Sequence, residues 1–125
     1  MVKQEFLDAI RDPLKAEGYR KKGFYWYKKA DDLVFCINLQ GSQWNKDDYY
    51  FQIGAALYKE DSETPTILDW LFRHRCKGEH GELNVSPQEA LTCVVSTFGE
   101  LKSSAQLSDF LQVHNATKVA NQYWF

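Results

Sequence analysis

Two runs of alternating side chains decide most of what this chain can become. In Leu33–Gln40, the residues Leu33, Phe35, Ile37 and Leu39 fall on one side, with Val34, Cys36, Asn38 and Gln40 on the other. In Tyr49–Tyr58, the residues Tyr49, Phe51, Ile53, Ala55 and Leu57 share a side. A period of two is the pattern of a strand, whose successive side chains point to opposite faces. A further aromatic run, Phe24–Lys29, precedes them, and Ala30-Asp31-Asp32 is short enough to close a hairpin. Three antiparallel strands with one greasy face need a cover.

Helices can supply that cover. Phe6, Ile10 and Leu14 recur every four residues and predict a helix over residues 2–17. Pro13 lacks a donor and is expected to kink or restart it after Asp12, and Gly18 follows as a left-handed cap. Thr64-Pro65 resembles a helix start, with Ile67, Leu68, Leu71 and Phe72 as its stripe. Ser86-Pro87-Gln88-Glu89 fits a capping box, and the spacing of Ala90, Leu91, Val94, Val95, Phe98 and Leu101 predicts the helix behind it. Ser104 is placed as the cap of a last helix carrying Leu107, Phe110 and Leu111. The order predicts one α+β domain over residues 1–125, an antiparallel sheet of at least three strands with helices packed on one face. The final run Asn121–Phe125 is apolar enough either to dock on this domain or to self-associate.

Charge is unevenly placed. Residues 1–30 hold eight Lys or Arg against four Asp or Glu, whereas residues 31–70 hold two against eight. The acidic middle would repel phosphate and steer a basic partner. The basic segment 19–29 interleaves lysines with aromatics, which suits either single-stranded nucleic acid or an edge strand whose aromatics pack inward. No apolar run approaches a membrane span, and no signal peptide is expected at residues 1–6. Cys36, Cys76 and Cys93 are an odd count at wide spacing, which predicts reduced thiols and a cytoplasmic protein rather than a disulfide framework.

No constellation spells an enzyme. GxGxxG, GxxxxGK[ST] and GxSxG are all absent. Cys36 in a strand and Cys93 in a helix are expected to be inert, and adjacent carboxylates such as Asp31-Asp32 and Asp47-Asp48 diverge. His74, Cys76 and His80 could begin a zinc site, but the fourth ligand would have to come from Cys93 or His114, and Arg73 and Arg75 flank the group. The expectation is therefore an ordinary helix end and turn, with no metal and no cofactor.

"GYRKKG" (residues 18–23), "QGS" (40–42) and "FQIG" (51–54) occur in the order seen in the uncharacterised bacterial domain family DUF4304. "RHRCKGEHGEL" (73–83) is similar to its later segment. The chain resembles that family over roughly residues 5–85. The resemblance implies no activity and no catalytic residues, because the family has none established.

The loop between the alternating runs remains. Gly41 is expected to bend or bulge the strand end, with Gln40 and Ser42 bonding the freed backbone. Trp44 either folds back onto the core, the preferred reading, or projects as a partner anchor. The functional expectation is a non-enzymatic, cytosolic protein-binding domain. Its concrete form is an immunity protein that neutralises a cognate bacterial toxin domain by occlusion. The binding face would comprise Asp31, Asp32, Trp44, Asp47, Asp48, Tyr50, Glu60 and Asp61. The alternative is a nucleic-acid-associated module using residues 19–29.

Overall fold

The computed structural model describes residues 2–60 and 64–125. Helix α1 (Lys3–Ala16) leads into β1 (Arg20–Lys22), β2 (Tyr25–Ala30), β3 (Leu33–Gly41) and β4 (Tyr49–Leu57). Then follow β5 (Phe72–Arg75), α2 (Pro87–Gly99), α3 (Leu107–Val113), β6 (Thr117–Val119) and β7 (Gln122–Trp124). The strands form one seven-stranded sheet in the order β1-β2-β3-β4-β5-β7-β6. All neighbours are antiparallel except β5 and β7, which run parallel. The architecture is α+β, as the pattern predicts, with more strands than the three legible from alternation.

The alternation sets which face is which. Leu33, Phe35, Ile37 and Leu39 of β3 and Phe51, Ile53 and Ala55 of β4 are buried with Phe6, Ile10 and Leu14 of α1. Ala90, Val94 and Phe98 of α2 and Phe110 and Leu111 of α3 join the same core. The three helices therefore bury one side of the sheet. Pro13 does not restart α1; the helix runs through it to Ala16. Gly18 (φ +97°) ends it, with Gly18 N–H donating to Lys15 O and Tyr19 N–H to Leu14 O, both 3.0 Å. The capping box of α2 is present: Glu89 N–H donates to Ser86 Oγ at 3.1 Å, and Ser86 N–H to Glu89 Oε1 at 2.9 Å. The Ser86 N–H bond, with a second from Glu79 N–H at 2.6 Å, holds the Glu89 carboxyl below its usual range.

The expected helix at Thr64-Pro65 is absent. Residues Ile67–Asp69 make a single tight turn, closed by Thr66 N–H donating to Asp69 Oδ2 at 3.0 Å. Leu68, placed on the apolar stripe, is exposed, and Phe72 begins β5 instead. Two tertiary demands override the local period. Phe72 enters the helix-covered core, while Trp70 is buried on the opposite face with Tyr27, Val34, Cys36 and Ala56. Gly54 makes room for it: a methyl there would overlap the Phe72 carbonyl oxygen and the Trp70 indole.

Three more expectations change. Ser104 caps no helix; its N–H donates to Asp32 Oδ1 at 2.9 Å and its hydroxyl to Asp32 Oδ2. Gly41 makes no bulge and stays in register opposite Tyr49. Cys76, just past the end of β5, and Cys93 of α2 are joined as a disulfide, their Cα atoms 6.1 Å apart. Widely spaced cysteines need no motif to meet, only packing that brings their Cα atoms within bridging reach. Closing a loop of 17 residues contributes about 3 kcal/mol by chain entropy. The C-terminal run docks on the domain: β7 pairs with β5, and Phe125 packs on Phe72 and Phe110 and stacks on His74 and His114.

Gly54→Ala is expected to lower stability by about 1–3 kcal/mol through overpacking beneath Trp70. Urea unfolding reads this, and an unchanged midpoint would refute the tight Gly54–Trp70 approach.

Candidate functional site

The sheet face that carries no helix is only partly covered by the Trp70 cluster. The remainder is polar, because the strand period that sends Leu39, Ile53 and His74 inward sends their neighbours out. Register places Gln40 opposite Tyr50, Asn38 opposite Gln52, Gln52 opposite Arg75 and Gly54 opposite Arg73. Arg73 in turn lies opposite Trp124 of β7.

These side chains form one network. Asn38 Nδ2 donates to Phe24 O at 3.3 Å, and Gln52 Nε2 donates to Asn38 Oδ1 at 3.1 Å. Gln52, wholly buried, is thereby turned so that its Oε1 accepts from Arg73 Nε at 2.7 Å and Arg75 Nε at 3.4 Å. Gln40 Oε1 accepts from Arg75 Nη2 at 3.0 Å and Arg73 Nη2 at 3.4 Å. The guanidinium carbon of Arg73 lies 4.4 Å from the Trp124 ring centre, and that of Arg75 lies 4.1 Å from that of Tyr50.

Two like charges are thus held side by side by neutral amide oxygens. Arg75 has Glu82 at 3.9 Å, too long for a good hydrogen bond. Among the described residues no carboxylate lies within ion-pair distance of Arg73. Burial, and then the neighbouring Arg75 charge, push the Arg73 pKa below the ordinary arginine range. Chemically, the arrangement is a preorganised double guanidinium that gains from an incoming carboxylate or other anion.

At its edge lies a cleft of about 310 Å³ lined by Gln40, Gly41, Ser42, Gln43, Trp44, Tyr50 and Arg75. Trp44 does not fold back; it is 88% exposed. Its loop closes on itself instead. Ser42 Oγ accepts from Trp44 N–H at 3.1 Å, Asn45 Oδ1 from Asp47 N–H at 3.0 Å, and Asp48 O from Ser42 N–H at 3.0 Å. Ser42 therefore bonds loop backbone as expected, whereas Gln40 is occupied by the arginines.

The acidic residues do not converge. Asp31 and Asp32 form the β2–β3 turn, where Asp31 takes a left-handed φ of +55° and Asp32 is bonded to Ser104. Glu60 follows β4 at that same end, where Tyr58 N–H donates to Asp32 O at 2.8 Å. Trp44, Asp47, Asp48 and Tyr50 lie at the other end of β3, about 27 Å away at strand rise. Asp48 Oδ1 accepts from Asn84 Nδ2 at 2.8 Å, which leaves Asp47 as the exposed acid of the loop. Asp61 lies outside the described residues. Arg73 and Arg75, read from sequence only as flanks of His74, are the residues that the expected face lacked. The signal was present in Phe72-Arg73-His74-Arg75, which alternates with period two.

The other candidates are structurally committed. In the basic segment, Tyr19, Trp26 and Tyr27 are buried, leaving Phe24 as its exposed aromatic. Three of its lysines lie over the protein's own rings, Lys21 over Trp26, Lys28 over Tyr19 and Lys29 over Tyr58. Burial pushes the Cys36 thiol up, so it stays protonated. No helix among the described residues is long and apolar enough to cross a membrane.

Replacing Gln52 with leucine leaves Asn38 Oδ1 and Arg73 Nε without their partner. It is expected to cost about 1–3 kcal/mol in thermal or denaturant unfolding. Wild-type stability in Gln52→Leu would show that the arginines are not held by this amide.

A family model described as a domain of unknown function, DUF4304, matches residues 10–103. No curated protein and no solved structure matches the chain.

Proposed function

The chain belongs to the DUF4304 family, and from the open sheet face we propose that it is a non-enzymatic protein-binding domain that docks its partner around Trp44. One observation carries this reading. An exposed tryptophan stands in the same cleft as Tyr50 and Arg75, three residue types enriched among the few side chains that dominate binding energy. The open face favours a partner that brings a carboxylate to the two guanidiniums, with Asp47 at the rim meeting a basic group. This reverses the emphasis of an acidic recognition face, because the acids of residues 31–70 lie at two ends of β3.

The concrete form proposed is occlusion of a cognate bacterial toxin domain in the cytoplasm. A compact domain can inhibit by steric cover alone, without catalytic groups of its own. A nucleic-acid-associated role for residues 19–29 is the second reading, supported by the exposed β1 residues Arg20, Lys21 and Lys22 beside Phe24.

The test is affinity capture from cells co-expressing genomic neighbours, with wild type and Trp44→Ala side by side. A stoichiometric protein containing a toxin domain is expected with wild type. It is expected to be lost with Trp44→Ala, while stability changes by less than about 0.5 kcal/mol. Capture unaffected by Trp44→Ala, or nucleic acid alone in the eluate, would overturn the proposed docking.

A further inference from the structure

The Cys76–Cys93 disulfide lies outside the open face and has a third chemical neighbour. His74, Cys76 and Cys93 bring their ligand atoms within 4.8 Å of one another. His74 of β5, Cys76 just past its end and Cys93 of α2 thus make a set of one imidazole and two sulfurs. The sequence objection to a cation here was the flanking pair Arg73 and Arg75. The strand period removes it: both arginines project to the opposite face, where they bond Gln40 and Gln52. Of the further ligands that the sequence offered, α2 supplies Cys93, while His80 lines the cavity outside this set of three.

A second observation concerns the imidazole. His74 Nδ1 lies 2.7 Å from Phe125 O, and the ring is stacked on Phe125. Phe125 O serves as the acceptor, so Nδ1 carries the proton of this bond and Nε2 keeps its lone pair. That is how metal-bound histidines are commonly oriented, by a backbone acceptor behind the ring. Access exists as well. A cavity of about 780 Å³ lined by Lys77, Glu79, His80, Thr92 and Cys93 opens on the half-buried Cys93, while Cys76 is wholly buried.

We propose that His74, Cys76 and Cys93 form a redox-gated site for a thiophilic divalent metal, zinc being the fitting ion, closed as the disulfide and opened by a dithiol reductant. Two cysteine sulfurs and one histidine nitrogen form a known zinc donor set with one position left for water. Opening begins when a thiolate of the reductant attacks Cys93 Sγ, the sulfur facing the cavity, to give a mixed disulfide with Cys76 leaving as thiolate. The reductant's second thiol then displaces Cys93. Two electrons and two protons pass to the protein, and the dithiol becomes a disulfide. Zinc binding releases those two protons to solvent as both sulfurs become thiolates. The sulfurs must part to roughly 3.8 Å, the edge of a tetrahedron with zinc–sulfur bonds near 2.3 Å.

Cobalt(II) is the probe. It is titrated anaerobically into the full chain, once oxidised and once reduced by a dithiol and freed of it. The reduced chain is expected to bind one cobalt with thiolate-to-cobalt charge-transfer absorption, displaced by zinc, and the oxidised chain none. His74→Ala is expected to weaken binding at least tenfold. The natural chain gives an independent reading should that variant fail to fold: zinc is expected to protect both Cys76 and Cys93 of the reduced protein from alkylation. Absence of the thiolate band after reduction, equal binding by oxidised protein, undiminished binding by folded His74→Ala, or unprotected cysteines would each overturn the proposal.

Discussion

Every other element hangs on the antiparallel ladder between β3 and β4. It pairs nine positions, from Leu33 opposite Leu57 to Gly41 opposite Tyr49. A slip of β4 by one residue would turn Phe51 and Ile53 out and bring Gln52 beneath the helices. The register therefore fixes two surfaces at once. One is the apolar bed on which α1, α2 and α3 lie, and the other is the polar strip that holds the arginines.

The second surface shows how a buried amide can organise charge. Gln52 has no access to solvent, so its polar atoms must find partners within the protein. Its donor is satisfied by Asn38 and its acceptor by Arg73 and Arg75. Trp124 and Tyr50 then lie against the guanidinium faces. Arg75 has only the distant Glu82 as counter-charge, and among the described residues Arg73 has no carboxylate within ion-pair distance. The C-terminal strand β7 contributes Trp124 to this face and Phe125 to the other, though residues 104–125 lie beyond the matched family segment.

Much of this was readable from spacing. The stripe of α1, the capping box of α2 and the inward faces of β3 and β4 are local patterns whose tertiary context agrees with them. The failures share a cause. Ile67, Leu68, Leu71 and Phe72 look helical, but Trp70 and Phe72 are drawn to opposite faces of the sheet, which no helix there could satisfy. Strands as short as β1, β6 and β7 carry too few residues for alternation to register. The disulfide joins a residue just past a strand to a helix, and only the packed fold shows that its cysteines meet. Trp44 was misplaced because hydrophobicity argues for burial, while the polar bonds that close its own loop leave the ring no way inward. The acidic residues share a composition but not a surface, since a strand of nine residues separates them.

Native-state hydrogen exchange reads the central claim most directly. If the β3–β4 ladder is the element on which the rest depends, the Cys36, Asn38, Gln52 and Gly54 amides, which face across it, will exchange only through global unfolding. Those of β6 and β7 will exchange through smaller, local openings. Exchange of the β3–β4 amides at the rate of β6, or openings of the ladder that leave α1 and α2 protected, would contradict it.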